Sequence, residues 1–240
     1  MIRIAAVADV HFGPDSRGTL REHFQAATDH ADVLLVAGDL TRHGLADEAA
    51  VFAEEVAGID VPVVVVLGNH DYHSDQERDI RTAMEGAGAT VLEGEATTIE
   101  VNGDRVGIAG TKGFGGGFVG ACASDFGEPE MKGFVQTTKA YAARLTEVLK
   151  SLDADWRVAL LHYSPVEETL AGERLEIYPF LGSYLLAEAI DSAGADLVFH
   201  GHAHGGREKG ATAAGVPVRN VAQPVIRRPY GIYCLGSDDC

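Results

Sequence analysis

The chain reads as an α/β protein built on a parallel sheet to which an antiparallel element has been added. Three observations predict this. Largely apolar runs at 2–8, 32–37 and 63–67 are each followed by apolar residues at helical spacing, the β-then-α grammar of a parallel sheet with helices packed outside it. An alternating segment, 97–101, returns as 105–109 through Asn102-Gly103, residues suited to a two-residue hairpin turn. Several apolar runs end abruptly in glycine or in Asp, His and Asn, as strands do when their carboxyl ends open onto a site.

Taken in order, 2–8 is nearly continuous in apolar residues, and Leu20, Phe24 and Ala27 then fall on one face of an amphipathic helix. Strand 32–37 is followed by a helix over 45–56, with Leu45, Ala49, Phe52 and Val56 on its apolar face. Strand 63–67 leads to a helix whose start is marked by Ser74 and Glu77, a capping-box pair. The stretch 110–134 is the least regular, with Gly113, Gly115, Gly116 and Gly117 interleaved with Phe114, Phe118 and Phe126. It lacks the Gly-Lys-Ser/Thr ending and the strand-to-helix context of a phosphate loop, so a mobile Gly/Phe-rich flap is expected at about 113–134. Tyr141, Leu145, Val148 and Leu152 line the next helix face, 157–161 is a strand, 183–190 a helix and 197–199 a short strand. The tail, 216–235, reads as further strands interrupted by Pro217, Pro224 and Pro229. No composition break marks a linker, and residues 1–240 are expected to form one domain.

Composition excludes some functions. With 46% hydrophobic residues the chain has ample material for a core, and 19 basic against 36 acidic residues leave a net charge of −17. Such a field repels nucleic acid and anionic membranes, so an anionic substrate must be held by strong local positive charge. Cys122, Cys234 and Cys240 show no paired or metal-type spacing. No disulfide framework is implied, and a reducing cytoplasm is the expected compartment. Residues 1–10 are apolar but short and run into Asp9 and His11, a first strand and not a signal peptide. No apolar run has the length of a membrane span.

The polar residues gather at strand ends. Asp9 and His11 lie two apart beyond the first strand, where a period of two turns both to one side. Asp39 follows Gly38, Asn69, His70 and Asp71 follow Gly68, His162 follows the strand at 157–161, and His202 and His204 follow Gly201. Five strand ends thus deliver carboxylate, imidazole or carboxamide toward the open side of the sheet, which makes a metal cluster the economical reading.

Asp9-x-His11, Gly38-Asp39, Gly68-Asn69-His70-Asp71, His162 and Gly201-His202-x-His204, in that order, resemble the calcineurin-like metallophosphoesterase superfamily. The resemblance spans residues 9–204, and Gly38-Asp39-Leu40-Thr41 with no large cap domain brings it nearest the cyclic-nucleotide phosphodiesterase-like branch. It implies a four-layer α/β/β/α sandwich of two mixed β-sheets flanked by helices, holding two metal ions. One ion would take Asp9, His11 and His204, the other Asn69, His162 and His202, with Asp39 bridging both and His70 facing substrate. The purple acid phosphatase variant is not expected, because Arg42 stands where that branch has a tyrosine.

The chemistry of the residues agrees with that division. Two divalent ions bring four positive charges against the two of Asp9 and Asp39, a surplus that suits an anionic phosphate ester. Ions about 3.5–4 Å apart lower the pKa of a bridging water to give hydroxide near neutral pH. His70 is then the general acid for the leaving alkoxide, and Asp71 could orient neighbouring groups. Nitrogen and oxygen ligands without thiolate suit manganese, iron, zinc or nickel. The expected activity is a metal-dependent phosphoric ester hydrolase acting on a small phosphodiester or phosphomonoester, a nucleotide among the candidates, with the diester favoured. A non-catalytic scaffold of the same fold is the alternative. A nuclease, which conflicts with the acidic charge, is a minor further alternative.

Bland readings hold for other residues. His200 is expected to be structural or to support a ligand, and His23 and His30 to lie on the surface. Arg42, His43 and His73 could touch substrate or be solvated loop residues, and Phe114 and Phe118 are expected to pack more than to cover a substrate. Selectivity would reside in 113–134 and 165–182.

Overall fold

A computed structural model describes residues 1–236 of the 240. The amino-terminal half alternates strands and helices: β1 (Ile2–Val7), α1 (Arg21–Ala27), β2 (Val33–Ala37), α2 (Ala46–Val56), β3 (Val63–Val66), α3 (Glu77–Gly86) and β4 (Thr90–Val91). The hairpin follows as β5 (Glu95–Val101) and β6 (Asp104–Thr111), then β7 (Gly117–Phe118), β8 (Ala121–Cys122) and the long α4 (Pro129–Ser151). The remainder is β9 (Trp156–Leu161), α5 (Tyr178–Leu181), α6 (Tyr184–Ala193), β10 (Leu197–His200), β11 (Lys209–Ala211), β12 (Pro217–Asn220), α7 (Gln223–Ile226) and β13 (Gly231–Leu235).

Two large sheets result, ordered β13-β1-β2-β3-β4 and β11-β12-β10-β9-β6-β5, with β7 and β8 forming a separate two-stranded antiparallel ribbon. In the first, β1 to β4 run parallel and β13 closes antiparallel to β1. In the second, β6, β9, β10 and β12 are parallel, with β5 and β11 antiparallel at the edges. Both sheets are therefore mixed, and antiparallel strands at the edges are common additions to a parallel core.

Alternation along the strands decides the layering. Ala5 and Val7 turn outward with Leu34, Val36 and Val65, packing against Phe24, Phe52, Ile80 and Met84 of α1 to α3. Their neighbours Ile4, Leu35, Val64 and Val66 turn inward and meet Ile108, Val158, Leu160 and Phe199 of the second sheet. The second sheet's outer face, with Ala159, Leu161 and Val198, is covered by Leu145 and Leu149 of α4 and Leu186 and Ile190 of α6. The order is helix, sheet, sheet, helix. Each fully buried aliphatic or aromatic side chain in these layers contributes roughly 1.5–3 kcal/mol, and the core between the sheets fixes how their carboxyl ends face one another.

Several local expectations are corrected. Ser74 does not cap α3: that helix starts after Gln76 with no side-chain cap, Asp75 interposes a left-handed residue (φ 56°), and Ser74 Oγ donates instead to the His43 carbonyl at 2.7 Å. Leu45 is the residue before α2 and stays exposed, because its extended backbone takes it off the face formed by Ala49, Phe52 and Val56. Pro224 begins the short α7 and interrupts no strand, as proline suits the first helical turn. Residues 129–134, expected to be irregular, are the first turns of α4, with Pro129 again at the helix start. The Asn102-Gly103 turn is as expected, both residues lying at positive φ, 53° and 91°. Cys122 is a free, exposed thiol, and Cys240 lies outside the described residues. Among the described residues no helix is long and apolar enough to cross a membrane.

Candidate metal centre

Six parallel strands, three from each sheet, end at one place. Asp9 and His11 follow β1, Asp39 follows β2, and Asn69, His70 and Asp71 follow β3; Lys112 follows β6, His162 follows β9, and His202 and His204 follow β10. The loops after β1 and β2 are zipped together, Asp9 N–H donating to the Gly38 carbonyl (3.0 Å) and His11 N–H to the Asp39 carbonyl (3.1 Å). Asp9, His11, Asp39 and His202 all adopt positive φ, 58°, 45°, 53° and 70°. Non-glycine residues are uncommon there, and such strain clusters where side-chain direction is functional. This corrects the strand-period argument for Asp9 and His11: both lie past the strand, in left-handed turns that re-aim them.

Ligand atoms from Asp9, His11, Asp39 and His204 lie within 4.8 Å of one another, as do those from Asp39, His162 and His202. Asp39 is common to both groups. His204 Nε2 is 2.8 Å from Asp9 Oδ1, His11 Nε2 is 3.8 Å from Asp39 Oδ2, and His162 Nε2 is 3.3 Å from Asp39 Oδ1. Asn69 joins the second group through its Oδ1, 2.9 Å from His162 Nε2. All seven residues singled out as ligands therefore meet. Room for the carboxylates comes from glycine: a Cβ on Gly68 would collide with Asp39 Oδ1, and one on Gly201 with Asp9 Oδ2.

Backbone carbonyls engage one ring nitrogen in three of the imidazoles and leave the other free of the backbone. His162 Nδ1 faces the Ala37 carbonyl at 2.8 Å, leaving Nε2. His202 Nε2 faces the Phe180 carbonyl at 3.1 Å, leaving Nδ1. His70 Nδ1 faces the Arg42 carbonyl at 2.7 Å; its ring packs edge-on to His11 at 4.6 Å, and its Nε2 has no hydrogen-bond partner among the described residues. Burial presses the His162 imidazole down to about 3 and His11 to about 4, so both are neutral and available as ligands at neutral pH. Burial also raises Asp39, reinforced by the fields of Asp9 and Asp71, well above the carboxylate range. Burial pushes Asp9 the same way, but its hydrogen bond to His204 and the fields of His162 and His204 outweigh that and hold it at about 2. Buried carboxylates crowded in this way stay ionised together only with cations among them. The donor set of two carboxylates, four imidazoles and a carboxamide fits divalent transition metals.

Asp71 is fully buried, and its carboxylate is spent on four donors: Leu40 N–H (3.1 Å), Thr41 N–H (2.9 Å), Thr41 Oγ (2.6 Å) and Gly68 N–H (2.8 Å). It locks the β2 and β3 loops together on either side of Asp39 and makes no hydrogen bond to the His70 ring. His200 bonds Thr169 Oγ1 (2.9 Å) and the Gly201 carbonyl (2.7 Å), a structural role. Arg42 pairs with Asp15 (2.9 Å) and His43 with Glu48 (3.0 Å), while His23, His30 and His73 are exposed. Phe118 is buried against Tyr178, and Phe114 packs against Phe134, Tyr141 and Tyr163. The flap's root is tied to the 165–182 segment by Gly116 N–H to the Pro179 carbonyl (2.7 Å) and Gly117 N–H to the Gly182 carbonyl (2.8 Å). Its tip, with Val119 and Phe126, is exposed.

Lys112 was missed by sequence reasoning, although it obeys the rule that found the others: an apolar strand ending in a polar residue and glycine. Its backbone carbonyl accepts from His162 N–H (3.1 Å) and Tyr163 N–H (3.0 Å), which fixes it beside the cluster. Burial lowers its ammonium pKa, opposed by the fields of Glu93 and Asp39.

Comparison with known proteins agrees with this geometry. The chain is 23% identical over 233 residues to the Caenorhabditis elegans protein "Putative metallophosphoesterase F40B5.2", covering 95% of this chain but 41% of that one; the chain thus spans about two-fifths of that relative's length. Among solved structures it resembles phosphopantetheinyl hydrolase (PptH) from Mycobacterium tuberculosis, with TM-score 0.67, 15% identity, and coverage of 93% of this chain and 90% of that one. It also resembles Haemophilus influenzae NAD nucleotidase (NadN), with TM-score 0.52, 14% identity, and coverage of 91% and 44%. At these identities the two structures establish the shared fold. Residues 2–206 match the calcineurin-like phosphoesterase family (Metallophos), and the chain belongs to that family.

Proposed function

We propose that this protein is a dinuclear-metal-dependent hydrolase of small phosphoric esters, with phosphodiesters preferred over monoesters. The single observation that carries the reading is Asp39, shared by two groups of ligand atoms that together use six residues from four strand ends, with Asn69 from a fifth joining through His162. Asp9, His11, Asp39 and His204 would hold one ion, and Asp39, Asn69, His162 and His202 the other. Bound there, two divalent ions supply Lewis acidity toward the phosphoryl oxygens and a nucleophile derived from water near neutral pH.

The chain's own residues do the rest. His70 keeps its Nδ1 on the Arg42 carbonyl, so its Nε2 is the atom that delivers a proton to the leaving oxygen. Asp71 holds the Asp39 and Asn69-His70 loops in register, acting as a positioning residue. The acidic surface disfavours long nucleic acids, so the substrate is small, with nucleotides in that class.

The test is a panel of an aryl monoester, an aryl diester and cyclic nucleotides, assayed on chelated protein and after reconstitution with manganese, iron, zinc or nickel. Diester turnover that vanishes on chelation and returns with metal supports the reading. Inactivity on every substrate with two ions bound per chain would identify a scaffold instead.

A further inference from the structure

The Lys112 side chain is nine-tenths buried, at 7% exposure, yet among the described residues its ammonium makes no hydrogen bond or ion pair. It lies over the Tyr72 ring at 4.3 Å from the centroid, with Phe114, Tyr141 and Tyr163 at 5.3, 5.5 and 5.9 Å. The nearby Glu93 is already committed to Tyr72 Oη (2.6 Å) and Leu67 N–H (3.1 Å). Ring faces stabilise a cation but do not satisfy the directional needs of three N–H donors, which are costly to leave unmade. The hydroxyls of Tyr141 and Tyr163 also have no hydrogen-bond partner among the described residues. The corner thus holds one ammonium and two hydroxyls whose donors are unmet among the described residues, beside a single carboxylate, Glu93, whose two oxygens already accept from other groups.

Its place relative to the cluster is defined. Tyr163 contacts both Lys112 and the rings of His202 (4.4 Å) and His162 (5.6 Å), so one aromatic side chain links the ammonium to the candidate ligands. Tyr72 lies two residues beyond His70 on the same short turn. The corner therefore borders the cluster through Tyr163 and Tyr72.

We propose that Lys112, with the hydroxyls of Tyr141 and Tyr163, binds a second anionic group of the substrate, a phosphate or carboxylate set apart from the phosphoryl group that is cleaved. This rests on the phosphoesterase reading and narrows it to substrates that carry two anionic groups.

The experiment measures binding, not turnover. Metal-loaded wild-type protein and Lys112→Met are titrated calorimetrically with methylphosphonate and with phosphonoalkanoates whose phosphonate and carboxylate are separated by one to four methylenes. In the wild type, at least one chain length binds about 10- to 100-fold tighter than methylphosphonate, the range of one or two charge-assisted hydrogen bonds. In Lys112→Met that ratio collapses to within about threefold of one, and Lys112→Arg restores part of it. Thermal melting and metal content establish that the variant is folded and loaded; if Lys112→Met does not fold, Lys112→Gln takes its place. The proposal is overturned if no phosphonoalkanoate outbinds methylphosphonate, if the ratio survives in the variant, or if both ligands weaken equally, which would put Lys112 on the cleaved phosphoryl group. Failure of methylphosphonate to bind metal-loaded wild type would instead count against the metal-cluster reading itself.

Discussion

The two sheets make unequal contributions to the site. The first supplies all of its carboxylates, Asp9, Asp39 and Asp71, together with His11, Asn69 and His70; the second supplies His162, His202, His204 and the ammonium of Lys112. One wall is anionic and the other neutral to cationic. Each wall alone would be unfavourable: buried carboxylates without cations, or buried imidazoles and an ammonium without anions. Only when the apolar layer between the sheets brings the walls together does a site exist that can hold divalent ions. Asp39 is where the division is sharpest, because it belongs to the anionic wall yet lies within ligand distance of imidazoles from both sheets.

Substitutions can break this contrast at different depths. Asp39→Ala should have the largest effect: both ions lose a ligand, metal analysis should fall toward zero per chain, and the transition-state stabilisation lost, several kcal/mol, corresponds to about 10⁴-fold in rate. His162→Ala, on the opposite wall, should vacate one position and leave the other filled. Two ions still bound to Asp39→Ala would show that the wall does not work through a shared ligand.

His70→Ala should come next, with both ions retained and turnover down about 10²- to 10⁴-fold. The loss should shrink for esters with acidic leaving groups, which need no proton; equal losses for alkyl and nitrophenyl esters would remove His70 from the general-acid role. Asp71→Asn should have the smallest effect of the four. Its carboxamide N–H₂ would oppose the N–H groups that now donate to the carboxylate, and the disturbed loops should weaken metal affinity about 10- to 100-fold with the pH dependence of turnover unchanged. A shifted pH profile would mean that Asp71 acts on His70 after all.

Much of the first sheet was legible because its grammar is local. Apolar runs at 2–8, 32–37 and 63–67 sit within a residue or two of β1, β2 and β3, and the glycine or charged residue closing each run marks the strand end. Less was legible where a side chain's role depends on a distant partner. Ser74 and Glu77 satisfy a capping pattern that the left-handed Asp75 cancels. Lys112 looks like an ordinary loop lysine until β6 is placed between β5 and β9, and Asp71 looks catalytic until its four donors, three of them from the β2 loop, are seen.

The order of the ligand blocks, the two classes of strand and the acidic balance were determined by the amino-acid sequence alone, since periodicity and residue type are properties of neighbours along the chain. What only the tertiary structure decided is direction and distance. The backbone partners of His70, His162 and His202, and the gathering of Tyr72, Tyr141 and Tyr163 around one ammonium, arise from contacts between residues tens to hundreds of positions apart. Those contacts form only once the inner faces of the two sheets have excluded water, so local patterning could name the site's parts but not their arrangement.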